Sequence, residues 1–273
     1  VSNALIHLHR ILIEAAQLPG FELLARPFYE RMFVRNRWRD LYRGVYPSFE
    51  SAQRSAPRSR PLGYDHEATA KLYRDRPRNL RASDFPVMFW MANLLGAGAR
   101  RVFDLGGHHG ISYYAMGRRM RLPADVDWCV HDVPAVVASG REHARSHDTS
   151  GRLRFTERRE DADGADVLLA GGVLQYLDYS LADLLGALAR PPRHLVIGQV
   201  PLHPDRSFFT LQSIGTAFCP YRVMAEAEFV AGLEALGYVC IDRWQSHEKS
   251  CRIPGARGYS VDYYQGFCFR RGD

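Results

Sequence analysis

Two hydrophobic periods divide the chain. From Arg101 onward, short apolar runs alternate with segments in which apolar residues recur every third or fourth position, the strand and helix alternation of a doubly wound parallel sheet. The runs 101–105, 127–131, 153–157, 165–170 and 194–200 predict five buried strands. Ser180-Leu181-Ala182-Asp183 reads as a capping box, and the helix it opens carries Leu181, Leu184, Leu185 and Leu188 on one face. A last helix over 225–236 is stopped by Gly237. The runs 238–244 and 259–269 follow as a closing antiparallel hairpin.

The first third reads differently. Residues 1–43 predict two helices parted near Pro19-Gly20, and 44–63 are rich in Ser, Pro, Arg and Gly, as a connector is. Helices follow over 66–74 and 84–95. The second is almost wholly apolar (Phe85, Val87, Met88, Phe89, Trp90, Met91, Leu94, Leu95), which predicts burial before Gly96 and Gly98 end it. The expected division is a helical N-terminal extension and linker at 1–63, then an α/β domain at 64–273. No internal repeat is present.

Composition narrows the class. An apolar content of 46% and a charged content of 24% belong to an ordinary globular protein. The formal charge of +6 raises nucleic acid as a partner. Against it, Lys71 and Lys249 are the only lysines among 36 basic residues, acids are interspersed, and no RNA-binding module appears. The arginine-rich stretch from Arg26 to Arg60 reads as a solvated helix face, with a phosphate-bearing substrate or a membrane surface as the alternative partner. Five scattered cysteines form neither a disulfide framework nor a zinc site, and those in strand-like runs (Cys129, Cys240, Cys268) read as small hydrophobes. A reducing cytoplasm is the expected setting. No run reaches membrane-span length, and 4–13 reads as an amphipathic helix. A homo-oligomer is compatible with all of this.

The chemistry concentrates at Asp104-Leu105-Gly106-Gly107-His108-His109-Gly110, where a strand ends in a carboxylate, a glycine turn follows, and a helix begins. Such a junction sets backbone N–H groups against a ligand. The spacing does not supply the Gly-x-Gly-x-x-Gly of dinucleotide binding, which disfavours an NAD(P)-linked oxidoreductase. It is similar instead to motif I of class I S-adenosylmethionine (SAM) methyltransferases, with His108 in place of the middle glycine. Asp132, at the end of the second strand, can accept both hydroxyls of a ribose. Gly171 and Gly172, at the end of the fourth, let a ligand approach the backbone.

Several segments together resemble a little-characterised family of class I SAM methyltransferases encoded among bacterial surface-polysaccharide or secondary-metabolite genes. They are Arg43-Gly44-Val45-Tyr46, Ser48-Phe49-Glu50-Ser51-Ala52, Leu62-Gly63-Tyr64-Asp65, the turn through Gly110 with Tyr113-Tyr114, Gly172 to Leu177, Leu211-Gln212, and Cys219-Pro220-Tyr221-Arg222. The resemblance implies a Rossmann-like, mostly parallel sheet with a C-terminal antiparallel hairpin. It also implies SAM as cofactor and a small-molecule methyl acceptor. The residues it brings to the cofactor are Asp104, Gly106, Gly107, Gly110, Asp132, Gly171 and Gly172, with Asp161 toward the adenine amino group and Arg81 toward the SAM carboxylate. Positioning alone supplies about 7–11 kcal/mol to such a transfer, so a base matters chiefly for a weakly acidic acceptor. His109, His203, Tyr176 and Asp178 are the candidate bases, and Gln199 and Gln212 are candidates to orient the acceptor. The alternative is a SAM-fold protein without transfer chemistry, acting as a binding or partner protein. His108-His109 do not make a metal site, because adjacent histidines on a tight turn diverge.

Overall fold

A computed structural model describes residues 22–35, 40–70 and 80–272. The expected helix ahead of Pro19 lies outside them, as do residues 71–74 of the helix expected over 66–74, of which α3 (Glu67–Ala70) is described. The main body is a seven-stranded sheet of β2 (Arg101–Leu105), β3 (Asp127–His131), β4 (Leu153–Thr156), β5 (Val167–Gly171), β6 (His194–Val200), β10 (Tyr238–Ser246) and β11 (Tyr264–Arg271). Its order is β10-β11-β6-β5-β2-β3-β4. The strands from β6 to β4 are parallel. β11 runs antiparallel between β6 and β10. The doubly wound sheet with a terminal antiparallel hairpin is therefore the observed fold.

Alternation along β2 shows why the sheet needs two layers of cover. Phe103 and Leu105 face one side, packed with Leu168, Ile197 and the helices α7 (Leu181–Gly186) and α8 (Glu226–Glu234). Val102 faces the other, with Trp128, Val130, Val167 and Val196 under α4 (Asp84–Gly96), α5 (Ile111–Gly117) and α6 (Pro134–His147). Burial on both faces is what makes these strands read as continuous apolar runs. The Ser180 box forms as expected, with Asp183 N–H to Ser180 Oγ at 3.0 Å and Ser180 N–H to Asp183 Oδ2 at 3.0 Å.

A second, four-stranded sheet departs from the sequence expectation. β1 (Leu41–Tyr46), β7 (Leu202–His203), β8 (Phe208–Ser213) and β9 (Phe218–Ala225) assemble in the order β1-β8-β9-β7. The segment expected to end a helix and open a connector is thus a strand, and the connection after β6 is a hairpin. Residues 1–63 are not wholly helical: after α1 (Glu22–Arg35) comes β1, then α2 (Phe49–Arg54). β1 is held by β8 from the far side of the chain, with Leu41 opposite Ser213, Tyr42 opposite Gln212 and Tyr46 opposite Phe209. Non-local pairing of this kind leaves only a faint local signature.

Three smaller expectations also change. Phe85 and Phe89 of α4 are each 58% exposed, so that helix buries only Met91, Leu94, Leu95 and their neighbours. Cys240 is exposed on the edge strand β10, whereas Cys129 and Cys268 are buried as expected. The arginines between 26 and 60 are not simply a solvated face. Arg60 donates to the Phe33, Val34 and Gly215 carbonyls and lies 4.1 Å from the centre of the Phe218 ring. Arg43 pairs with Glu30 at 3.2 Å and covers Phe33.

Candidate functional site

β3 and β5 flank β2 on opposite sides, so the strand order reverses there and a crevice opens beyond the carboxyl ends of the strands. A cleft of about 520 Å³ occupies this place, and its size suits a small-molecule ligand. Its floor is Asp104, Leu105, Gly106 and Gly107 after β2, His131, Asp132 and Val133 after β3, and Gly171, Gly172 and Val173 after β5. Its far wall is built by Phe49, Leu62 and Tyr64 from the segment after β1, Tyr176 from the turn after β5, and Cys219 and Pro220 of β9.

The turn after β2 is fixed by contacts that only glycine allows. Gly106 has φ +67°, and a Cβ there would lie 2.3 Å from Val173 Cγ2. At Gly107 a Cβ would meet the Asp104 carboxylate at 2.5 Å. Asp104 is buried and accepts from Trp128 Nε1 at 3.1 Å. Gly110, at φ +79°, closes the turn against Leu153 and does not line the cleft. His108 adopts the left-handed φ of +55° that the missing glycine would have taken. Burial and the neighbouring His109 push its imidazole down to about 3, so it is neutral near pH 7.

Asp132 is half-buried and held by two backbone donors: His108 N–H reaches Oδ2 at 3.0 Å, and Val133 N–H reaches Oδ1 at 2.8 Å. A carboxylate offers about four lone-pair sites, so each oxygen keeps one for a ligand hydroxyl. Burial raises its pKa to about 6, against the pull of those two N–H groups and with the Asp65 carboxylate adding to the rise. Asp65 itself accepts from Ala135 N–H at 3.0 Å, in the first turn of α6.

The remaining sequence candidates divide. Arg81, Gly171, Gly172 and Tyr176 line the cleft with the residues above. Asp161 does not: it accepts from Thr156 Oγ1 at 2.7 Å and pairs with Arg158. His109 turns away toward α6, its Nε2 within 2.9 Å of Ser139 Oγ and its Nδ1 within 2.9 Å of His108 Nδ1. The two rings therefore do not diverge as the sequence reading expected: they meet edge to face, with centroids 4.4 Å apart. His203 is buried in the second sheet, accepting from Asp205 N–H at 3.1 Å and packed against Phe208. Tyr176 packs edge-on to Tyr64 and Tyr221, and burial raises its phenol far above the usual range, so it stays protonated. Gln212 is buried beneath the wall, donating to Tyr42 Oη at 3.2 Å.

Other cleft residues escaped the sequence reading of the site. His131 lines the cleft beside Asp132, and Lys249 enters from the loop after β10. Lysine scarcity was the one hint at Lys249. His131 looked like an ordinary strand residue.

No protein-family model matches this sequence, and a search of curated proteins gives no match. Solved structures do. The [4+2]-cyclase SpnF matches with a TM-score of 0.51 and 14% identity, over 85% of this chain and 98% of that one. An O-methyltransferase family protein from Burkholderia thailandensis gives 0.48 and 18%, over 92% and 70%. Magnesium protoporphyrin IX methyltransferase from Synechocystis PCC 6803, with bound SAM, gives 0.48 and 13%, over 77% and 93%. At such identities the likeness is one of fold.

Proposed function

We propose that this protein is a SAM-dependent methyltransferase acting on a hydroxyl, amine or carboxyl group of a small metabolite, such as a sugar or polysaccharide precursor. One observation carries the reading: the Asp132 carboxylate and the Gly106-Gly107 turn face a single cleft, with acceptor sites on Asp132 still open. The fit is stereochemical as well. Gly106 and Gly107 are demanded by the protein's own packing, whereas a Cβ on Gly171 would enter open space, the room a ligand would fill.

In this reading the Asp132 oxygens bind the two ribose hydroxyls. Val133 and Val173 bound the adenine, in place of the Asp161 contact the resemblance implies. Gly106 and Gly107 bring their backbone against the methionine chain, and Arg81 pairs with its carboxylate. The cofactor, when bound, supplies an electrophilic methyl on a sulfonium. The chain's contribution is to hold the acceptor in line, with Phe49, Tyr64, Tyr176 and Pro220 as the wall. The described residues between 40 and 63, with the β8–β9 hairpin, act as the cap over the cleft. Five cysteines without a disulfide suit a reducing cytoplasm.

A second reading, adenosyl binding without transfer, is favoured by one observation. Neither His109 nor His203 reaches the cleft, and Tyr176 is a poor base there. Incubation with methyl-labelled SAM and a panel of hydroxyl, amine and carboxyl acceptors separates the two. Label transfer is the expected result; S-adenosylhomocysteine (SAH) binding with no transfer to any acceptor would favour the second reading.

A further inference from the structure

Resting on the adenosyl reading of the cleft, we infer that Gln199 orients the methyl acceptor, and that the acceptor is a group bearing its own proton, a hydroxyl or amine, and not a carboxylate. Gln199 lies at the carboxyl end of β6 with φ +55°, buried, and lining the cleft. A non-glycine side chain in the left-handed region is a cost that persists where the surroundings enforce it, and such residues cluster at functional sites.

The surroundings enforce more than the backbone. Gln199 Nε2 lies 3.1 Å from Ser83 Oγ, and Ser83 Oγ lies 2.8 Å from Glu248 Oε2. Ser83 N–H also reaches Glu248 Oε1 at 3.3 Å. The direction of this chain is set by its end. An ionised carboxylate only accepts, so the Ser83 hydroxyl must donate to Glu248 and can only accept from Gln199. The Gln199 amide therefore presents NH₂ to Ser83, and its carbonyl oxygen is left for the cleft. That oxygen looks across at Gly172, where a Cβ would lie 3.7 Å from it.

A fixed carbonyl at the end of β6, one strand beyond the proposed donor site, selects by charge and by hydrogen. It accepts from O–H or N–H, and it repels a carboxylate, which has no proton to give. The cations of the cleft, Arg81 and Lys249, share it with the carboxylates Asp40 and Asp65, so the cleft is not a general anion trap. In the transfer, an acceptor oxygen or nitrogen lone pair forms the new bond to the methyl carbon as the carbon–sulfur bond breaks. The bonding pair returns to sulfur, and the acceptor's proton passes to solvent water. Gln199 takes no proton; it holds the acceptor's O–H or N–H so that a lone pair faces the methyl. Ser83 and Glu248 are positioning residues that act through it.

Calorimetry on the full chain with SAH and with sinefungin tests this. Sinefungin carries an amine on the carbon that replaces the methylated sulfur, which puts a donor where the methyl would be, toward the acceptor. Gln199→Met should weaken sinefungin roughly tenfold, the loss of about one hydrogen bond to a charged group, and leave SAH unchanged. Ser83→Ala keeps Gln199 and its backbone but frees the amide to flip, so it should lower sinefungin affinity less and again spare SAH. It remains decisive if Gln199→Met does not fold. An equal change for both ligands, or none for either, would overturn the proposal. Failure of the unmodified protein to bind either ligand would overturn the adenosyl reading first, and this inference with it.

Discussion

Asp132→Ala is expected to weaken SAH binding by at least about a hundredfold, while the unmodified protein binds it. Two charge-assisted hydrogen bonds to ribose hydroxyls are removed, each of about 1.5–3 kcal/mol. The same carboxylate makes binding depend on pH. Its folded-state pKa is about 6, above the ordinary aspartate value, so it is protonated as pH falls through that region and loses accepting capacity. Affinity should therefore rise between about pH 5 and pH 7 and level off above. His108 stays neutral across this range, its imidazole titrating only near 3. In Asp132→Ala the pH dependence should flatten. Calorimetry at several pH values reads both effects, and an unchanged affinity with an unchanged profile would reject the ribose contact. Circular dichroism controls for the loss of the acceptor that His108 and Val133 N–H share.

Gly106→Ala is expected to be the most damaging small substitution in the turn. At φ +67° a Cβ costs about 1–2 kcal/mol. The contact with Val173 at 2.3 Å adds overpacking of about 1–3 kcal/mol. A loss of about 2–5 kcal/mol in urea unfolding should result. Gly171→Ala is the contrast. Its Cβ meets nothing within 4 Å, so stability should hold within about 0.5 kcal/mol while SAH affinity falls, because the methyl enters the cleft. If both variants lose stability equally, the distinction between packing glycine and ligand glycine is wrong.

What could be read from the sequence follows from where the determining contacts lie. β2, β3, β5 and β6 are buried on both faces, so their apolar runs announce them, and the carboxylate or glycine at each end marks the crevice. Asp104, Gly106, Gly107, Asp132, Gly171 and Gly172 were legible for that reason. The second sheet was not. β1 is short and carries Gly44, and it becomes a strand by pairing with β8 across most of the chain. The same non-locality hid the aromatic wall and the entry of Lys249. The histidines failed for a different reason: proximity to the strand end does not determine where a ring points. His108 takes a left-handed backbone, which turns His109 toward Ser139. His203 continues into β7, pairing with Ala225, and is sealed inside the second sheet.

The most direct test of the adenosyl site is a calorimetric titration of the purified chain with SAH, with NAD as the comparison ligand, near pH 7.5. One-to-one binding of SAH and none of NAD is the predicted result. Binding of NAD in preference to SAH, or of neither, would contradict the assignment.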